Sequence, residues 1–408
     1  MSESSPGSRP APAPTSPVSP VPTGRDRGWL WRVWLLVAVF AAVALARSVQ
    51  VGIGFKDPGG EIFRSRIALS LAIFVGLVLV DAAVRTPRSG WGLGRAWSTL
   101  RERWTGRRLA LALGGLLAYH LVYFCYHNLK SWDVFRAPRD QMLESWDRWL
   151  FLGHSPAVLL HDLLGQHVAA YVLMVIYESF PTLVSVAFVA ALALAPQIKE
   201  GYVFIASMQW VWILGVGSYY LIPSLGPFDA APGDFSGLPH MMIQDTQARY
   251  LAQRDHLLAH PHAADAFAQI SAFASLHVAV TTVILLMARY YGLRRIARAL
   301  TVFLVGTLIA TIYLGWHFAV DDVAGLAIAY ASVRLGRWMI HPPRRPGRES
   351  AGSAGSAVGE QPFGALGFKA WMQHPFHRGA HGWSSSAVVS SGSACSVLAF
   401  RALGSALA

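Results

Sequence analysis

Thr311-Ile-Tyr-Leu-Gly-Trp-His317-Phe-Ala-Val-Asp321-Asp322-Val-Ala-Gly325 stands where one apolar run ends and the next begins. His317 and Asp321 are four residues apart, so a helix through them puts both on one face, one turn apart. A carboxylate in that place holds an imidazole in one tautomer and raises its basicity. Asp322 follows at about 100° further round the helix, which gives it a secondary part. A second histidine lies upstream, in Ser275-Leu276-His277. A helix crosses a bilayer in ~20 residues, so about 40 carry the chain across and back. The interval from His277 to His317 therefore sets both imidazoles at one membrane face. Two histidines and an aspartate meeting at a lipid–water boundary suit phosphoryl transfer.

Composition agrees with a membrane setting. Of the 408 residues, 54% are hydrophobic and 14% charged, where a soluble chain carries roughly a quarter charged. The expectation is an all-α polytopic membrane bundle. The net charge of +12 reads as arginine bias in cytoplasmic loops. No nucleic-acid motif or basic–aromatic interleaving accompanies it. The two cysteines, Cys125 and Cys395, make neither a disulfide framework nor a metal-binding pair.

Apolar runs at about 29–46, 67–84, 108–126, 168–195, 202–223, 272–291, 299–316 and 318–340 give eight candidate spans. The first reads as an uncleaved anchor, although Ala44-Leu45-Ala46 resembles a cleavage site. Pro181 should kink the fourth. The stretch from Arg85 to Arg108 holds seven arginines against Glu102 alone. Arg289, Arg294, Arg295 and Arg298 surround the 292–298 connection, and Arg334, Arg337, Arg344, Arg345 and Arg348 end the last span. With the N-terminus inside, all three clusters fall in the cytoplasm. Lys56, Arg64 and Arg66, in the first outer loop, are the exception. The long loops 127–167 and 224–271 then lie outside, the first with an amphipathic helix within 139–165. The expected organisation is a Pro-rich cytoplasmic tail over 1–28, two spans and a basic loop over 29–107, a catalytic membrane domain over 108–340, and a disordered tail over 341–408.

His256 and His260 are spaced i,i+4 in the outer loop, near His240 and His262, but no cysteine or carboxylate set completes a metal site. His154 has no motif around it. Pro223, Gly226 and Pro227 both end a helix and shape a pocket wall. Lys130, Arg136, Arg139, Arg249 and Arg254 are the outer cations.

Ser275-x-His277 and His317-x-x-x-Asp321 with Gly325 resemble the second and third signature motifs of the type 2 phosphatidic acid phosphatase superfamily. The phrase Tyr219-Tyr220-Leu-Ile-Pro223-Ser-Leu-Gly226-Pro227, with Ala274-Ser-Leu-His-Val-Ala279, is similar to its inositol phosphorylceramide synthase-like branch, actinobacterial members included. The resemblance covers roughly 109–340. It implies a six-helix catalytic core acting on a lipid phosphate at the outer face of the plasma membrane, among membrane lipids and with no metal or cofactor. His317 would attack phosphorus to give a phosphohistidine, with Asp321 fixing its other ring nitrogen. His277 would protonate the leaving oxygen, and Ser275 would offer its hydroxyl and nearby amides to the phosphate. Tyr220, Pro223 and Gly226 would line the pocket; the resemblance assigns no cation to the phosphate, and among the outer cations Arg136 and Arg249 are the candidates taken for it. Two departures stand out. The superfamily's first motif, a lysine followed at seven and eight residues by Arg-Pro, is absent, and Thr311 occupies the place of the arginine six residues before the third-motif histidine. A transporter using Asp81, Asp321 and His317 as a proton relay is the rival class. It lacks the inverted repeats common in such proteins.

Overall fold

Hydrophobicity this continuous leaves the chain no way to satisfy its backbone in lipid except by helices. The computed structural model describes residues 28–86 and 92–343, and these contain helices and turns without a strand. The tails expected over 1–28 and 341–408 lie outside the described residues, save Gly28 and 341–343, as does Cys395. Contacts divide the chain after Arg345, and everything described belongs to the first unit.

The elements are α1 (Gly28–Val51), α2 (Arg64–Arg85), α3 (Leu93–Arg103), α4 (Gly106–Ser131), α5 (Asp140–Leu150), α6 (Pro156–Leu164) and α7 (Val168–Glu178). They continue as α8 (Phe180–Leu194), α9 (Ile198–Leu221), α10 (Pro227–Ala230), α11 (Met242–Ala259), α12 (Leu276–Tyr290), α13 (Arg294–Tyr313) and α14 (Ala319–Ile340). Six are long and apolar enough to span a bilayer: α1, α2, α4, α7 with α8, α9 and α13. The chain is thus a multi-pass helical membrane bundle. Pro181 sits in the first turn of α8, where its missing N–H costs nothing, and the fourth run bends there into α7 and α8.

Two of the eight expected spans have a different character. α12 has 15 residues, about 22 Å of helix. α14 carries Asp321, Asp322, Arg334 and Arg337. Neither needs a wholly apolar surface, because both pack around α9, the most enclosed of the spanning helices, with 78% of its apolar window buried. Small residues permit the close crossing. A Cβ on Gly336 of α14 would meet the Ser207 backbone nitrogen of α9 at 2.6 Å.

Arg85, Arg107, Arg108, Arg294, Arg295, Arg334 and Arg337 lie at or near helix ends on one side of the bundle, opposite the ends that carry His277 and His317. The three exceptions to that charge pattern have local uses. Lys56 Nζ donates to the Pro261, Ala263 and Ala266 carbonyls at 3.2, 2.6 and 3.0 Å. Arg64 Nε lies 3.8 Å from Asp57, and Arg66 lines a cleft between helices.

The helix expected within 139–165 is two helices, α5 and α6, broken where Leu152 and Gly153 take positive φ. α5 turns its apolar Trp149 outward and its carboxylates inward. Asp140 accepts from the Leu225 and Gly226 amides at 2.9 and 2.8 Å. Asp147 accepts from the Ala319 and Val320 amides at 2.7 and 3.0 Å. Burial pushes both carboxyls above their ordinary range, Asp140 to about 6, while the amide hydrogen bonds pull the other way.

Gly336→Ala should destabilise the bundle by about 1–3 kcal/mol through overpacking, read as a lower melting temperature in detergent. Gly217→Ala, where an added Cβ meets nothing within 4 Å, should be neutral or slightly stabilising, since alanine favours a helix over glycine. Equal effects from the two would show that the α9–α14 crossing is not tightly packed.

Candidate active site

The first turns of α12 and α14 meet. Ser275 caps α12, its hydroxyl accepting from the Val278 amide at 3.5 Å. Its own N–H donates to the Asp321 carbonyl at 3.0 Å. A Cβ on Gly325 would strike the Ser275 carbonyl, so glycine there lets the two helices approach. His277 lies in the first turn of α12, and His317 in the turn that enters α14. The ring centroids stand 6.0 Å apart.

His317 is not on the helix. Phe318 is the N-cap of α14, and Asp321 is its third residue, whose Oδ2 returns to the Phe318 amide at 3.1 Å. The same oxygen lies 3.4 Å from His317 Nδ1, close enough for charge attraction. The angle leaves Nδ1 without a formed hydrogen bond. Capping geometry, rather than an i,i+4 ridge, brings the pair together. The same geometry brings Asp322 to the site. The residue before an N-cap commonly packs against the fourth helical residue, and here those two are His317 and Asp322. Asp322 is 3% exposed; its Oδ2 accepts from the Thr311 hydroxyl at 2.9 Å, and its Oδ1 has no partner. The expected secondary part for Asp322 assumed a helix already formed at His317.

The imidazoles are walled by aromatic rings. Tyr177 and Phe180 each lie 4.2 Å from the His277 ring, and Trp316 stacks on Tyr177 at 5.7 Å. Burial pushes His317 down to about 4, with Asp322 pulling upward and Lys130 pushing further down. The Lys130 charge also acts on His277. Its ammonium lies 5.7 Å over the Tyr219 ring, and among the described residues no carboxylate pairs with it at ion-pair distance.

Other expected site residues fall elsewhere. The Tyr220 hydroxyl donates to the Leu129 carbonyl at 2.8 Å, with Arg47 5.4 Å from its ring. Its neighbour Tyr219, a third of a turn away, is the one beside Lys130. The Pro223 carbonyl accepts from the Arg139 amide at 2.7 Å. Gly226 takes φ +116, and a Cβ there would lie 2.7 Å from the Trp316 carbonyl, so it supports the His317 turn from behind. Arg136 is exposed and acts on Asp133. Arg249 is exposed over the Tyr250 ring. His256 pairs with Asp265 at 3.2 Å and His240 with Asp245 at 3.3 Å. A narrow opening reaches His317 between α5, α6 and α10, with Arg148 in its wall.

Residues 141–335 match the model of the PAP2 superfamily. No curated protein and no solved structure matches the chain. The PAP2 segment holds both histidines, both aspartates, Thr311, Ser275 and the aromatic wall, while Lys130 and α5's Asp140 precede it. The match supports an enzyme of phosphoric esters in the general sense.

The balance of charge around His317 can be read directly. Lys130→Met should raise the His317 pKa from about 4, because it removes a cation that opposes protonation. Asp322→Asn should lower it further. Histidine NMR on selectively labelled protein measures both, and no shift from either variant would place those groups away from the ring.

Proposed function

We propose that this protein is a lipid-phosphate phosphatase or phosphotransferase that works through a phosphohistidine at the extracytoplasmic face of the plasma membrane. The carrying observation is the pair of facing imidazoles at 6.0 Å, each at the start of a helix. Attack needs about 3–3.5 Å from nitrogen to phosphorus, and proton donation about 2.6–3.2 Å. Centroids 6.0 Å apart put both rings within reach of one phosphoryl group. His317 attacks through Nε2, since Nδ1 faces Asp321. As the phosphorus–nitrogen bond forms, the bond to the lipid oxygen breaks, and that oxygen takes the His277 proton. Asp321 and Asp322 stabilise the imidazolium, and Lys130 with the amides of α12's first turn receives the non-bridging oxygens. Water or an alcohol then gives up its proton to His277 and takes the phosphoryl group.

Lys130 is the cation acting on both rings, and Thr311 replaces a further arginine. One ammonium matches a phosphodiester monoanion better than a monoester dianion. That supports head-group transfer, as in the inositol phosphorylceramide synthase-like branch. The outward face rests on the arginine-rich helix ends opposite the histidines. Asp81 is held by Arg103 and Arg85 at 2.7 and 2.8 Å, which leaves a proton relay without that carboxylate.

Labelled phosphate should appear on the protein as an acid-labile adduct and vanish in His317→Ala. His277→Ala should still form it slowly from p-nitrophenyl phosphate, whose leaving group needs no proton. Asp321→Asn should lose roughly 10²–10⁴ in rate, the scale of orienting carboxylates, and Asp322→Asn a comparable amount. Activity should persist in excess EDTA. An adduct retained in His317→Ala would overturn the assignment.

Sidedness is tested separately. Cysteines at Gly233 and Gln244 should react with an impermeant reagent on intact cells, and one at Gly292 should not. The reverse pattern would place the site in the cytoplasm.

A further inference from the structure

A second, open cleft lies among α2, α4, α8 and α9. Every residue that lines it sits on those helices, so it is built within the spanning part of the bundle rather than among the loops. Its walls are chiefly rings: Tyr119, Tyr123, Phe180, Phe188 and Trp212. Phe180 is shared with the site, lying 4.2 Å from the His277 ring. Ser70 and His120 in the wall are paired. Ser70 Oγ and His120 Nε2 are 3.2 Å apart, and His120 Nδ1 lies 2.8 Å from the Leu116 carbonyl. That leaves Arg66, near the start of α2, as the charged lining group. Among the described residues it has no carboxylate at ion-pair distance.

The chemistry of the proposed reaction fixes which side of the site must hold the lipid. The oxygen that leaves phosphorus takes its proton from His277, so the alcohol attached to that oxygen lies on the His277 side. One ring beyond His277 an aromatic cleft begins, with a cation along it. We propose that this cleft receives the hydrocarbon chain of an anionic lipid phosphate, with Arg66 attracting the head group on its way to the histidines. The inference rests on the functional reading above. Arg66, Ser70, Tyr119, His120 and Tyr123 all precede the PAP2 segment, so α2 and α4 set chain selectivity from outside the family-matched stretch.

The test uses the purified full chain and a photoactivatable long-chain phosphatidate, with crosslinks mapped by mass spectrometry. Val184→Trp fills the cleft; Arg66→Gln removes its charge. Crosslinks should map to α2, α4 and α8 in the parent and fall in Val184→Trp. Arg66→Gln should weaken labelling by the phosphatidate but not by a photoactivatable diacylglycerol, which guards against misfolding of the tryptophan variant. In turnover, Val184→Trp should raise KM for dipalmitoyl phosphatidate by about tenfold or more, the scale of a blocked apolar pocket, and leave dibutyryl phosphatidate nearly unchanged. Crosslinks elsewhere, or equal effects on both chain lengths, overturn the cleft while leaving the catalytic reading intact. Crosslinks in the cleft with no acid-labile phosphoprotein formed from either phosphatidate or phosphatidylinositol would support the cleft and overturn the catalytic reading.

Discussion

The structure depends on one backbone hydrogen bond, from the Ser275 amide to the Asp321 carbonyl at 3.0 Å. It ties the first turn of α12 to the first turn of α14. Helix starts leave amides without intrahelical partners and carry partial positive charge. Two such starts side by side make an anion-attracting corner, and that corner places the histidines opposite each other. Gly325 makes the approach possible, because any side chain there would collide with the Ser275 carbonyl. The helices are thus joined where they begin, and both pack against α9.

α5 holds this corner from outside. Asp147 satisfies two free amides of α14, while Asp140 satisfies two in the 225–226 turn. That turn in turn rests on the 315–316 backbone, where the Phe228 amide donates to the Gly315 carbonyl at 3.0 Å. The burial of these carboxylates costs desolvation, and each is compensated by amides that would otherwise be unpaired. A helix that looked like a membrane-surface element is therefore a clamp on the site's backbone. Lys56 does similar work further from the site, joining the α1–α2 connection to 261–266.

The membrane bundle and its break at Pro181 were legible because hydrophobic run length and proline geometry are local properties. The histidine corner was legible from spacing alone, since a crossing and a return consume a fixed length of chain. The contribution of Asp322 was not. The i,i+4 rule presumes a helix through His317, whereas the helix starts at Ala319 and the preceding residues follow N-cap geometry instead. That Tyr219 rather than Tyr220 lies beside Lys130 was hidden for a related reason, because rotation about α9 is set by tertiary packing on α4. The cationic side was the least legible. Lys130 had no motif to separate it from Arg136 and Arg249, and only burial distinguishes it from those exposed arginines.

The departures from the superfamily pattern have a common physical sense. Thr311, at the place of an arginine, donates its hydroxyl to Asp322 and so steadies a buried carboxylate without adding charge. An arginine there would neutralise Asp322 and weaken its pull on His317. With threonine the carboxylate keeps its full influence on the imidazole, whose proton affinity burial and Lys130 both depress. A neutral imidazole is a ready nucleophile, but in the proposed reaction its phosphorylated form would carry positive charge on the ring, and that form needs a nearby anion. Two aspartates at the start of α14 supply it, while the helix terminus limits the cost of burying them. In the proposed mechanism the missing arginine and the second aspartate are then two parts of one electrostatic arrangement, which would favour a charged intermediate over tight binding of a dianionic phosphate.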